Sequence, residues 1–528
     1  MIPRRAALAS AGAAALTLPA LARPALAQAP RVLRMVPQAN LASLDPVWST
    51  ANITRNHGFM IYDTLYGLTA GLEPTPQMAG GHVVEDDGRR VTVTLRDGLA
   101  FHDGEPVRAV DVVASLRRWM ARNPFGQKLA TVLDGLAALD DRRVEFRLSR
   151  PFPLIFHALA STSTPAFIMP ERVASTDAFK QITDPVGSGP FRFKADEFNS
   201  GSLAVYERNP AYQPADGAPS LTAGGKVAHF GRVEWRIIPD AATASAALQQ
   251  GEVDWFEQPP PELQTLLRRN RNVTVEAIDP LPLMGILRLN HLHPPFNDRE
   301  LRRALLPAIV QSDFMAAIVG TDPAMIRDRA GAFTPGTPYA GEAGLEPLLS
   351  PRSPEEARAA LRAAGYANQP MRLIGPTDIL APTAMTQVAA DLFRRLGFNM
   401  DLALSDWGTV IQRRASREPL DKGGWSALLT SFTSYDFLDP ALHPLARGNG
   451  LQGWPGWPTI PRLEELRDAW FDAPDQATRA SICNDIQRTV IDEVAWVPVG
   501  GYQSMTALRR NLVGRVNGFA IFWGLRPE

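Results

Sequence analysis

Asp436 and Asp439 stand in the run Phe432-Thr433-Ser434-Tyr435-Asp436-Phe437-Leu438-Asp439-Pro440, two carboxylates among aromatic residues. A carboxylate in such a loop either caps a local turn or meets a cation in a charge-assisted bond. Trp407, in Ser405-Asp406-Trp407-Gly408, offers apolar area and one indole donor. The eight histidines are scattered, and His291 and His293 are the closest pair. At strand spacing they would share a face, where two imidazoles can hold a metal, but they adjoin Pro294-Pro295 and read as loop or hinge. Cys483 is the single cysteine, so neither an intramolecular disulfide nor a cysteine metal cluster is possible. Its apolar position on a helix predicts a buried structural thiol. The chain carries no G-x-S-x-G, H-E-x-x-H or G-x-x-x-x-G-K-[ST] pattern, and no acidic pair stands out as catalytic. These residues point to binding rather than bond-making.

The elements that must position them mix strands and helices throughout, which argues an α/β fold. Val91, Val93 and Leu95 alternate with Thr92 and Thr94 as a half-buried strand, beside strands at 83–85 and 144–148. From Val110, the apolar residues Val112, Val113, Leu116, Trp119 and Met120 mark one face of a helix over 110–122. Residues 52–66 read as a helix ending at Gly67, and 241–250 as one ending at Gly251. A second unit begins near residue 275. It holds a strand at 286–290, a helix at 299–319 with Pro307 as a kink or break, and strands at 371–374, 400–404 and 426–431. A short helix at 407–414 can be capped by Ser405 or Asp406.

The chain has 528 residues and a formal net charge of −1, too long for one core and too balanced for nucleic acid or an anionic membrane. Its beginning reads as a secretory signal. Arg4-Arg5 precede an Ala-rich stretch, and Ala25-Leu26-Ala27 is a cleavage site, so export to the periplasm with cleavage near Ala27 is expected. The paired arginines favour the twin-arginine route. Loss of Arg4, Arg5 and Arg23 would leave a charge of −4.

The stretch Leu95-Arg96-Asp97-Gly98-Leu99-Ala100-Phe101-His102-Asp103-Gly104-Glu105-Pro106-Val107, continuing through Asp111-Val112, closely resembles a signature of the family 5 extracytoplasmic solute-binding proteins. These are the peptide, nickel and opine receptors of ABC importers. Arg108 stands where that family usually has a helix-capping Thr. Four further segments match in order: 184–191 with Pro-Val-Gly-Ser-Gly-Pro-Phe, 206–212 with Glu-Arg-Asn-Pro, 240–254, and 289–305 with Pro-Pro-Phe-Asn-Asp. Residue by residue, His102, Gly187 and Gly189 read as turn-forming rather than ligand-binding.

The resemblance implies a type II-like periplasmic binding protein, with two lobes joined by two crossings and the ligand cleft between them. The expected division is a signal peptide at 1–27 and a first lobe at 28–275 with an inserted subdomain at about 50–180. A second lobe follows at 276–496, and 497–528 return to the first. It also implies that Asp436 takes the position of the carboxylate that binds the ligand's ammonium. Trp407 would pack on the ligand, Phe432 and Tyr435 would flank the pocket, and Ser163, in Thr162-Ser163-Thr164, would approach from the first lobe. Dipeptide receptors carry an Arg for the ligand carboxylate where this chain reads Gly375-Pro376-Thr377-Asp378, so Thr377 offers one uncharged donor and strict dipeptide specificity is not expected. The implied function is capture of a peptide-like or amine-bearing solute by lobe closure and delivery to an inner-membrane permease. The protein would act as a monomer, without cofactor or catalysis. The alternatives are a nickel or metal-chelate receptor, an opine receptor, or a ligand sensor subunit.

Overall fold

The computed structural model describes residues 31–350 and 353–528, so the expected signal segment lies outside the described residues. Two sheets organise the chain. The first has the order Phe191–Phe193, Leu203–Arg208, Arg232–Arg236, Val32–Val36, Trp255–Phe256, Met505–Arg509, Val273–Ala277. The Val32–Val36 strand is parallel to both neighbours, and the outer strands pair antiparallel. The second has the order Ile326–Arg327, Val497–Tyr502, Leu283–Leu289, Ala427–Phe432, Pro370–Pro376, Asn399–Ser405. Its Leu283–Leu289 strand is buried at every position, as a central strand covered on both faces should be.

The chain therefore crosses between sheets at 278–282 and again at 503–504. The second crossing falls later than the expected return at 497. The Val497–Tyr502 strand pairs with Leu283–Leu289 of the second sheet, and only Met505–Arg509 rejoins the first. A separate four-stranded antiparallel sheet, Ala79–Glu85, Arg90–Leu95, Arg143–Leu148 and Leu133–Ala138, falls in sequence between the Val32–Val36 and Phe191–Phe193 strands of the first sheet. The Ala109–Met120 helix buries Val112, Leu116 and Trp119. With Arg108 at its N-terminal boundary, the helix is capped from inside: the Asp111 carboxylate accepts the Arg108 backbone N–H at 2.8 Å.

The expected helix over 52–66 stops at Ile61. Tyr62 is already extended, and Asp63 and Thr64 pair with Ile168 and Phe167 instead. Two glycines fix the approach to that helix end. A Cβ on Gly187 would lie 1.8 Å from the Ile61 carbonyl oxygen, and one on Gly189 would lie 2.7 Å from the Ile61 carbonyl carbon. Their role is close packing rather than turn conformation. His102 ties the signature segment to the same loop: its backbone N–H donates to Gly187 O at 2.8 Å, and its Nε2 meets Gly189 O at 3.2 Å. Pro307 breaks the 299–319 helix, leaving Arg299–Leu305 and Gln311–Val319 with a short 3-10 turn between.

Candidate functional site between the lobes

The helix Asn52–Ile61 of the first lobe points its Arg55 across to the second. Thr433 begins a short turn there, and the Asp436 carboxylate caps it: Oδ2 accepts Thr433 N–H at 2.9 Å and Thr433 Oγ1–H at 2.7 Å. The other oxygen, Oδ1, accepts Arg55 Nη1–H at 3.2 Å, with both side chains almost wholly buried. Asp436 thus does both things its residue type allows, and the cation it meets is the chain's own. Arg55 is held further by Thr162 O at 3.3 Å, by Asn52 Oδ1 at 3.1 Å and by the Phe519 ring, 4.3 Å from the guanidinium carbon. Asp439 caps the next turn through Ala441 N–H and Leu442 N–H, at 2.8 and 3.1 Å.

Three cavities lie along the line where the lobes meet. The first, about 30 Å³, is lined by Arg55, Asn56, Glu257 and Asp279 together with Tyr435 and Phe519. The second, also about 30 Å³, is lined by Trp407, Arg414, Phe432 and Thr50; it shares Gln38 and Asn52 with the first. The third, about 180 Å³, contains Ser163, Arg122, Arg417 and Trp454, and shares Thr50 with the second. The first two are narrow, and side chains of the two lobes touch directly beside them. Thr50 Oγ1 accepts Arg414 Nη2–H at 3.2 Å and Trp454 Nε1–H at 3.4 Å across the interface, and Lys128 meets Asp468 at 2.6 Å.

The structure gathers Trp407, Phe432, Tyr435 and Ser163 along this line, with Asp436 directly beside it. Thr377 is elsewhere: it sits on an exposed turn, its Oγ1 donates to Ser405 O at 3.4 Å, and it lines none of the three cavities. Tyr435 donates its hydroxyl to Asp279 Oδ2 at 2.9 Å. Trp407 begins its helix, which Asp406 caps through Thr409 N–H at 3.0 Å.

Sequence reasoning missed Arg55, Glu257 and Arg414. Arg414 carries a readable signal, because it falls seven residues after Trp407 on one helix and so shares its face; its guanidinium lies 5.7 Å from the Trp407 ring and 5.0 Å from that of Trp454. Burial lowers its pKa to about 10. Glu257 is 2% exposed, and burial raises its carboxyl to about 7. No local pattern marks either Glu257 or Arg55, whose partner is 381 residues away. Among the described residues no group of three or more His, Cys, Asp or Glu is placed to hold a metal ion, and His293 instead meets Arg417 O at 2.9 Å. Cys483 is buried, as its helix position predicts.

The model for bacterial extracellular solute-binding proteins, family 5 Middle, matches residues 73–449. The chain belongs to this family. It is similar to a probable peptide ABC transporter periplasmic-binding protein of Sinorhizobium fredii, with 34% identity covering 98% of this chain and 97% of the relative. It is also 26% identical to the glutathione-binding protein of Escherichia coli strain K12, over 90% of each chain. A solved structure of a periplasmic binding protein from Helicobacter pylori, in complex with the peptide STSA, superposes with a TM-score of 0.77. That match has 21% identity and covers 94% of this chain and 98% of that one. The fold is the two-lobed fold of periplasmic binding proteins, and this family 5 protein is the substrate-binding subunit of an ABC importer. Among the described residues no helix is long and apolar enough to cross a membrane.

Proposed function

We propose that this protein captures a peptide or peptide-like, amine-bearing solute between its lobes and presents the closed form to an inner-membrane permease. It acts as a monomer in the periplasm, after removal of a signal peptide near Ala27, and makes or breaks no bond. The observation that carries this reading is the row of cavities at the lobe interface, lined from both lobes by aromatic, amide and charged side chains. Such a lining buries apolar surface and leaves a few polar groups to choose the ligand. The two crossings at 278–282 and 503–504 leave the lobes free to part, so ligand binding acts as a shift between open and closed populations. The curated relatives, named for peptide transport and for glutathione binding, support the peptide-like class.

Small-angle scattering tests the reading. Ligand-free protein exposed to a tryptic casein digest is expected to become more compact, in a saturable way. An unchanged radius of gyration, with no heat of binding in calorimetry, would count against it.

A further inference from the structure

This inference rests on the interlobe reading above and names the ligand's charge pattern. Other buried charges among the described residues meet either a counter-charge or several hydrogen bonds: Arg288 donates to three backbone carbonyls, and Asp279, in the same cavity as Glu257, accepts from Tyr435 O–H and Leu281 N–H. Asp45 holds Arg118 through two contacts at 2.6 and 3.1 Å, and Asp63 holds Lys226 at 2.6 Å. Two buried charges on the cleft do not follow that pattern. Glu257 accepts one hydrogen bond, from Gln38 N–H at 2.7 Å, and has no cationic partner among the described residues. Arg414, 7% exposed, donates to Thr50 Oγ1 and lies against two tryptophan rings, with no carboxylate partner among the described residues.

A buried charge without a counter-charge costs several kcal/mol. Two of opposite sign, in adjoining cavities that share Gln38 and Asn52, match a ligand that brings both counter-charges. Asp436 already accepts three hydrogen bonds, from Arg55 Nη1–H and from Thr433 N–H and Oγ1–H, so Glu257 is the less satisfied of the two carboxylates. We propose that Glu257 and Arg414 are the ligand's two charge anchors: an ammonium group meets Glu257, a carboxylate meets Arg414, and a zwitterion lies between them. Two further atoms fit such a ligand. Among the described residues Arg55 Nε and Asn56 Oδ1 are buried without partners, and both residues line the Glu257 cavity. One donor and one acceptor complement the carbonyl and N–H of a peptide unit. Past Arg414, the guanidiniums of Arg122 and Arg417 donate to the backbone carbonyls of Trp48 and Leu451, so the basic character of the cleft continues away from Glu257.

The test uses the full mature chain, native mass spectrometry and three probes: a tryptic casein digest, the same digest acetylated at its amines, and the same digest methyl-esterified at its carboxylates. The wild type is expected to capture species from the untreated digest and at least tenfold less from either blocked digest. Glu257→Gln, which keeps the shape and the acceptor for Gln38, is expected to lose at least tenfold on the untreated digest and to be indifferent to acetylation. Arg414→Gln is expected to be indifferent to esterification in the same way. A role limited to folding would lower capture without making either variant indifferent, and circular dichroism reports the fold directly. Wild-type capture that ignores both blocking reactions, or variants that capture like the wild type, would overturn the charge anchors while leaving the peptide-like reading standing. No capture by the wild type would overturn both.

Discussion

Asp436 illustrates how residue type and neighbourhood decide a role. Its position in the chain marks it for a cation, and the structure supplies that cation from helix Asn52–Ile61. Removing one partner of a buried pair leaves the other charge stranded, at a cost of about 3–5 kcal/mol. Asp436→Ala should therefore lower the denaturation free energy by that order, and Arg55→Met together with Asp436→Leu should recover much of the loss; chemical denaturation of the three variants measures both. Glu257 gives a pH prediction. Its folded pKa of about 7 lies above the ordinary carboxyl value of 4.5, so the folded state holds an extra proton between these values and stability falls as pH rises through this window. Arg55 and Asp279 line the same cavity and are kept in the comparison. The ligand-free Glu257→Gln variant should be more stable than the wild type at pH 8, by up to about 3 kcal/mol, and the advantage should vanish below about pH 4.5. Thermal melts across that range check it, and a constant difference would contradict the assignment. Trp407 was read from the sequence; Arg414 was not, although its seven-residue spacing on the same helix was there to read. The Arg55–Asp436 pair was not legible, since no local pattern reports a contact 381 residues apart.

At the scale of elements, periodicity located most strands and helices because each buries one face against the core. It failed where tertiary packing cut an element short. The helix from Asn52 was expected to reach Gly67, yet it ends at Ile61, where the Gly187–Gly189 loop packs onto its last carbonyls and the following residues join Phe167 and Ile168. The family signature around His102 braces that same loop. It therefore acts on the site at one remove, by fixing the helix that carries Arg55. Gly189→Ala would place a methyl 2.7 Å from the Ile61 carbonyl carbon. Such overpacking costs about 1–3 kcal/mol, so the variant should melt lower and bind the casein digest more weakly. Unaltered melting would show that the loop yields without disturbing the helix. Pro307 was read correctly as a break because proline removes a donor wherever it falls. The late return at 503–504 escaped because Val497–Tyr502 is apolar enough for either sheet.

For the whole molecule, two sheets are linked by two short crossings, and the proposed site lies in the cleft between them. Two larger hollows, at residues such as Asp298 and Arg303 or Val110 and Arg117, each lie within a single lobe and cannot sense closure. The interlobe cavities can, because each is lined by residues of both lobes. The central claim is that a small organic solute occupies this interface, and native mass spectrometry of protein expressed in rich medium and purified without unfolding tests it most directly. The account predicts an added mass from one bound amine-bearing, peptide-like solute, released on denaturation. A protein that carries only a metal ion, or that carries no solute and takes none up from the casein digest, would contradict it.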